Sequence, residues 1–255
     1  MDSVLLHSPS TEPAPKIRAR SIDRIGDEPM LIGNRLSVEQ QEKLRSIAKL
    51  LCYPKSGMTI FSRGADAEFV YVVNEGIVRI TRTALNGQRR ILAFMVPGDL
   101  FGLPDCGVYA NTSETVSPAQ LHRFSWPQLR ELMTEDSLLQ HTLLVKLAHD
   151  FRQAQRQMMM LGQQSAHQRL AMFLLDFIRN PDFFDKAQAR LTVPVNRFDL
   201  ADYLGTTRET ATRAFNRLEQ EGLVRRINPQ TVEVLSLTGL QQLQLGRSRR
   251  HADAD

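Results

Sequence analysis

The chain has 255 residues, 42% of them hydrophobic, enough for one large core or two modest ones. Its formal net charge of +4 permits a polyanionic partner without requiring one. Two cysteines without CxxC spacing exclude a disulfide framework and a cysteine-rich metal site, and no stretch reaches the roughly 18 apolar residues of a membrane span.

The opening MDSVLLHSPSTEPAP is rich in Ser, Pro and Thr and lacks a basic segment followed by a long apolar one. It reads as a flexible tail over 1–35 rather than a signal peptide, and the expected location is a bacterial-type cytoplasm. Ser37 to Cys52 reads as a helix. Ser37 and Gln40 form a capping box, Leu44, Ile47, Ala48 and Leu51 follow at helical spacing, and Pro54 closes it. From about Met58 to Trp126 the period becomes that of strands. FVYVVNEGIVRITRT gives two runs of β-branched and aromatic residues around Asn74-Glu75-Gly76, a first hairpin signal. Asn86-Gly87 before RRILAFMV is a second, and Pro97-Gly98-Asp99 is a further turn. Such closely spaced strands predict a small antiparallel barrel or roll within 36–135.

A helical segment follows. Leu144, Leu147, Phe151, Ala154, Met158, Leu161 and Ser165 recur in alternating steps of three and four. This is a heptad seam over about three heptads, flanked by Lys146, Asp150, Arg152 and Arg156. A helix buried in its own domain usually carries a wider stripe. The narrow seam therefore predicts a parallel helix at a two-fold dimer interface over 136–163, with packing inside one chain as the alternative. Met158-Met159-Met160 reads as packing filler rather than a ligand box. Beyond Gly162, QRLAMFLLDFI is a second apolar helix ending near Asn180-Pro181, and the domain boundary falls near Gln164. PDFFDKAQARLTVPVN reads as a loop with one short strand.

RFDLADYL, Arg197 to Leu204, reads as a short helix with Phe198, Leu200, Ala201 and Leu204 apolar, and Gly205 makes the bend after it. At about 100° per residue, Ala211, Ala214, Phe215 and Leu218 share one face of the next helix. Arg208, Glu209, Thr212, Arg213 and Asn216 share the other. Thr206 or Thr207 caps its start, with Glu209 placed to help. LVRRINPQTVEVL then gives two short strands around Asn228-Pro229, a wing. Two helices joined by a Gly-containing turn, the second polar in its first turns, make a winged helix-turn-helix over 164–246, with a tail at 247–255. Arg can donate to guanine O6 and N7, and Glu can accept from cytosine N4. The candidate base-reading set is Arg208, Glu209, Thr212 and Arg213. The candidate phosphate contacts are Thr207, Asn216, Arg217, Arg225 and Arg226. For any single one, a solvated helix face is the alternative.

The order of β-roll with PGDLFG, long helix and TTRETATRAFNRLEQEGLV resembles the CRP/FNR family of bacterial transcription regulators over roughly Ser37 to Leu245. The resemblance implies an α+β protein: a cyclic-nucleotide-binding-like roll, a dimerisation helix and a winged helix-turn-helix. It implies a non-enzymatic homodimer on an inverted repeat in double-stranded DNA, acting with RNA polymerase. By family pattern, Arg208, Glu209 and Arg213 match the Arg-Glu-x-x-x-Arg triple of the catabolite activator branch. Glu209, Thr212 and Arg213 also approach the Glu-x-x-Ser-Arg of the FNR branch, with Thr for Ser. Both half-site types, TGTGA and TTGA, stay open, as does the choice for Arg208 between a base and a phosphate.

The family's cyclic-nucleotide cassette is Gly-Glu soon followed by Arg-Ser/Thr-Ala. Here Leu103 follows Gly102, and no Lys or Arg lies between Ile91 and His122. A buried phosphate there would lack a charge partner, so cAMP binding in the usual way is not expected. The iron–sulfur branch uses four cysteines, most near the N-terminus, and this chain has none before Cys52. No cofactor is predicted. Haem stays open, with His7, His122, His141, His149, His167 and His251 as the available histidines. Cys52 and Cys106 are candidate redox thiols. Inert thiols are the alternative, since neither is visibly surrounded by basic residues. A cupin-type metalloenzyme would need His-x-His with a further Glu and His, and the roll has only His122.

Overall fold

The computed structural model describes Leu5–Leu6 and residues 37–85, 87–104 and 106–245. The tails expected over 1–35 and 247–255 lie outside these residues, Leu5 and Leu6 excepted, as does Asn86. The chain forms two compact units that divide between Gln153 and Ala154. That point lies inside a helix, whereas the sequence suggested a boundary near Gln164. Among the described residues, no helix is long and apolar enough to cross a membrane.

The first unit begins with α1 (Val38–Ile47). Its capping box is as expected: the Ser37 hydroxyl accepts from the Gln40 N–H at 3.1 Å, and the Gln40 side chain accepts from the Ser37 N–H at 3.0 Å. The helix ends at Ile47, not at Cys52. Ala48–Tyr53 is strand β2, because tertiary pairing with a later strand overrides the helical spacing of Leu44, Ile47, Ala48 and Leu51. Strand β1 (Leu5–Leu6) pairs antiparallel with β2, Leu5 opposite Cys52 and Leu6 opposite Leu51. Those two residues therefore belong to a sheet rather than to a free tail.

Seven further strands build the roll: β3 (Thr59–Phe61), β4 (Phe69–Glu75), β5 (Val78–Thr83), β6 (Arg89–Met95), β7 (Leu100–Phe101), β8 (Thr112–Thr115) and β9 (Ala119–Ser125). They form two sheets, ordered β1-β2-β9-β4-β7 and β3-β8-β5-β6. The first expected hairpin is absent: β4 and β5 lie in different sheets, and the chain crosses between them at Gly76. Gly76 has φ +84°, and an added Cβ would collide with the Pro118 carbonyl oxygen. The second hairpin forms as read. Thr83 faces Arg89 across β5 and β6, with Gly87 at φ +77° in the turn.

Two apolar clusters sit on the two faces of the first sheet. Between the sheets lie Leu51, Tyr53, Tyr71, Val73, Val78, Phe101, Tyr109 and Leu121. On the outer face, Val70, Val72, Leu100 and Phe124 meet Leu44 of α1, Leu129 of α2 (Trp126–Glu135) and Leu139 and Leu143 of α3 (Ser137–Gln163). The alternation of β9 produces this split, with Ala119 and Leu121 facing one cluster and Phe124 the other.

Helix α3 carries two stripes. Leu139, Thr142, Leu143 and Lys146 are buried. Leu144, Leu147, Phe151, Ala154, Met158 and Leu161 are exposed, Phe151 by 63%. Lys146, expected as a charge flanking the seam, is instead turned inward. Its Nζ lies 3.4 Å from Asp99 Oδ1 and 2.6 Å from Asp150 Oδ1. The second Asp99 oxygen accepts the Val96 N–H at 2.9 Å, which closes the Pro97-Gly98 turn. A strand-to-strand turn is thus tied to the long helix by a buried ion pair. Of the three methionines, Met160 is buried while Met158 and Met159 are 64% exposed.

His122 is 1% exposed, and neither ring nitrogen has a hydrogen-bond partner among the described residues. It lies between Leu50 and Val72 on the neighbouring strands. Burial, helped by the nearby charge of Arg45, pushes its pKa down to about 4. The folded protein therefore resists a proton that the unfolded chain accepts near pH 6.5. Stability present above pH 6.5 should fall as the pH drops through 4, by on the order of 3 kcal/mol from this group. His122→Leu should flatten that part of a melting-temperature-versus-pH curve. An unchanged slope would rule His122 out as its source. Cys52 is half-buried on β2 and Cys106 is exposed after β7, and neither forms a disulfide among the described residues.

The second unit opens on α4 (Ala166–Ile178), capped by Ser165 and Gln168 and buried along most of its length. Two short strands follow where one was read: β10 (Phe184–Asp185) and β11 (Arg190–Thr192). Then come α5 (Arg197–Tyr203), α6 (Arg208–Gln220), β12 (Val224–Arg226) and β13 (Thr231–Val234). The strands form one sheet in the order β10-β11-β13-β12. A last helix, α7 (Leu237–Gln244), follows the wing. Ser236 caps it by accepting the Gly239 N–H at 3.1 Å, and Leu240 is fully buried against the rest of the unit.

Candidate nucleic-acid interface

Helix α5 starts at Asn196, whose side chain accepts the Asp199 N–H at 2.9 Å. Leu200, Ala201 and Leu204 are buried, and the chain then turns through Gly205 at φ +62°. A Cβ at Gly205 would sit 3.1 Å from a Leu161 methyl. The last apolar seam position therefore also packs against this bend within its own chain. Thr207 caps α6: its hydroxyl accepts the Thr210 N–H at 3.2 Å and lies 3.1 Å from the Thr210 hydroxyl. Thr207 is thus the N-cap of α6, one of the two residues the sequence offers for that role.

The two faces of α6 divide as the wheel requires. Ala211, Ala214, Phe215 and Leu218 are buried, and α6 packs on α4 and α5. Arg208, Glu209, Thr212, Arg213, Asn216 and Arg217 are exposed. Arg213 donates to the Thr210 hydroxyl at 3.0 Å, which restrains it on the helix surface. Its own backbone N–H, then the Thr207 hydroxyl, hold the Glu209 carboxyl below its usual range, so it is an acceptor at neutral pH. The Arg208 guanidinium lies over the Phe198 ring, 4.2 Å from its centroid. Phe198, read as part of the apolar face of α5, is 59% exposed instead.

The wing forms as expected. Val224 faces Val234 and Arg226 faces Val232, and Asn228 accepts the N–H groups of Gln230 and Thr231 at 2.9 and 2.8 Å to make the turn. The basic residues around it are engaged within the domain. Arg226 donates to Asn216 at 2.8 Å and pairs with Glu219, whose carboxylate also accepts the Arg226 N–H at 2.8 Å. The Arg226 hydrogen bond holds Glu219 below the usual carboxylate range. Arg226 and Asn216 thus brace the wing against α6. Arg217 pairs with Glu221 at 2.9 Å and Arg225 with Glu233 at 3.2 Å. Those pairs are largely solvent-exposed, so each arginine can exchange its carboxylate for a phosphate at little cost.

The structure therefore gathers Arg208, Glu209, Thr212 and Arg213 on one surface at the start of α6. It adds three residues that the sequence reading did not assign. Thr210 is legible in retrospect, three residues before Arg213 on the same helix. Glu219 and Phe198 act across elements and leave no local signature.

A model of the cyclic nucleotide-binding domain matches residues 53–136, and a model of the Crp-like helix-turn-helix domain matches residues 168–243. The chain is similar to the nitrogen fixation regulation protein FixK of Azorhizobium caulinodans, with 34% identity over 166 residues, 65% of this chain and 67% of that one. It is 32% identical over 217 residues to the cyclic AMP receptor protein of Thermus thermophilus, covering 83% of this chain and 95% of the relative. The solved structure of FixK2 from Bradyrhizobium japonicum superposes with a TM-score of 0.72 at 28% identity, over 77% of this chain and 97% of that one. These relatives are regulators rather than enzymes. The chain belongs to the CRP/FNR family of transcription regulators, and its Crp-like helix-turn-helix is a DNA-binding domain.

Proposed function

We propose that the protein works in the cytoplasm as a homodimer that reads an inverted repeat in double-stranded DNA and regulates transcription through RNA polymerase. The observation that carries this reading is the division of α6. Its buried face fixes the helix in the domain, and Arg208, Glu209, Thr212 and Arg213 stand together on the open one. Two such helices about one helical turn apart would meet two successive major grooves. The exposed apolar seam of α3 supports the pairing that this requires.

We further propose that the roll operates without cAMP and that the protein carries no iron–sulfur cluster. Phe61 stacks on Tyr109 at 3.8 Å and Tyr71 on Phe101 at 5.5 Å, within the cluster between the sheets. A Cβ at Gly102 would already stand 3.1 Å from both Phe61 and Tyr71. Leu103, where the cassette carries Glu, packs with the outer apolar cluster. Burial raises the pKa of Tyr71 and pushes Tyr53 up to about 12, so these phenols stay neutral. The Arg123 guanidinium lies over the Phe69 ring, 4.1 Å from its centroid.

Gel shifts with CRP/FNR-type palindromes at several salt concentrations test the reading. Affinity should fall with a log–log slope of roughly 0.9 per phosphate neutralised. Added cAMP should change nothing, and isothermal titration should show no cAMP binding. Arg213→Ala should cost about 1–3 kcal/mol and relax one base position in each half-site. Equal weakening on every sequence would remove Arg213 from the base readers.

A further inference from the structure

The first turn of α5 places two neighbouring side chains against their usual preferences. Arg197 is turned inward, with its guanidinium 4.2 Å from the centroid of the buried Phe215 ring, and burial lowers its pKa. Phe198 is turned outward and is 59% exposed. Single exposed apolar residues are common and need no explanation by themselves. This one, however, has a specific occupant on its face, the guanidinium of Arg208.

Arg208 is the first residue of α6. A cation there opposes the helix macrodipole, whose N-terminal end is positive. Local rules are broken in this way where a side chain serves something other than the stability of its own helix. The stack has a defined geometric effect. An aromatic ring beneath a guanidinium covers one π-face and leaves the edge N–H groups open. Those edge donors are the ones that match guanine O6 and N7. The ring also removes rotamer freedom from a long side chain before it meets DNA.

The geometry points to Phe198 as a positioning residue for specificity. It holds the Arg208 guanidinium over its ring at the mouth of α6, so that Arg208 reads a guanine and does not settle on a phosphate. This rests on the reading of α6 as the base-contacting helix. Phe198 contributes no base contact of its own, and its effect passes entirely through Arg208.

The test is selection from a randomised inverted-repeat duplex library with the full-length protein, followed by binding measurements on single-base variants of the selected site. The wild type should select one guanine per half-site with roughly five- to 150-fold discrimination that Arg208→Ala abolishes. Phe198→Ala should lower that discrimination about two- to fivefold, with the salt dependence unchanged. Phe198→Leu, which keeps apolar bulk without a π-face, should behave like the alanine variant, while Phe198→Tyr should retain the preference. In an Arg208→Ala background, Phe198→Ala should change nothing further at that position. Uniform weakening on all sequences, or a change in base preference that persists without Arg208, would overturn the positioning role. Arg208→Ala relaxing the guanine while Phe198→Ala does not would sink this inference and leave the DNA-reading proposal standing. Selection of no sequence at all would sink the DNA-reading proposal itself.

Discussion

Replacing Phe151 with glutamate should turn the protein into monomers and remove most of its affinity for an inverted repeat. Phe151 lies at the centre of the seam and is 63% exposed in the single chain, so the substitution disturbs no core of its own. In a paired helix it would set two carboxylates against each other in an apolar strip, where neither can be solvated well. A monomer holds only one half-site. Linking two binding modules raises avidity by roughly 10²–10⁴ over one of them, and that factor is what the variant should lose. Sedimentation analysis and gel shifts on whole and half palindromes would measure both effects, with far-ultraviolet circular dichroism to check that α3 remains helical. A Phe151→Glu protein that stays dimeric would place the interface elsewhere.

The second large effect concerns the buried ion pair. Lys146→Met should destabilise the first unit by about 3–5 kcal/mol, because it leaves the Asp99 carboxylate, 3% exposed, without that ammonium. Breaking one side of a buried pair costs more than the pair itself contributes. The double variant Asp99→Asn, Lys146→Met should therefore recover much of the loss. Urea unfolding followed through Trp126, the one tryptophan in the chain, would report it. Full additivity of the two single substitutions would mean that Lys146 and Asp99 are not coupled.

Much of the candidate DNA-reading surface was legible in the sequence because it is written within single elements. The 3.6-residue period of α6 separates Ala211, Ala214, Phe215 and Leu218 from the polar residues without reference to anything distant. The Ser37 capping box and the seam positions of α3 are local in the same sense. What was missed depends on partners far along the chain. Leu51 and Ala48 fit a helix until β9 claims them for a sheet. Val73 and Val78 look like two arms of a hairpin, and only the pairing of β4 with β9 and of β5 with β6 and β8 shows that the chain crosses to the other sheet. Lys146 reads as a solvated charge until Asp99 is placed beside it. No periodicity records such pairings.

The two stripes of α3 have a thermodynamic consequence. Leu143 and Lys146 grip the roll, while Leu144 and Leu147, each one residue further along, belong to the seam. The helix cannot be rotated to improve one set without disturbing the other, because adjacent residues are fixed about 100° apart. The roll and the seam thus share a single mechanical element, and a change of state at either carries a free-energy difference at the other. In the proposed homodimer this coupling is reciprocal by linkage: whatever tightened the hold of the roll on α3 would alter how strongly two copies associate, and association would alter the roll by the same amount.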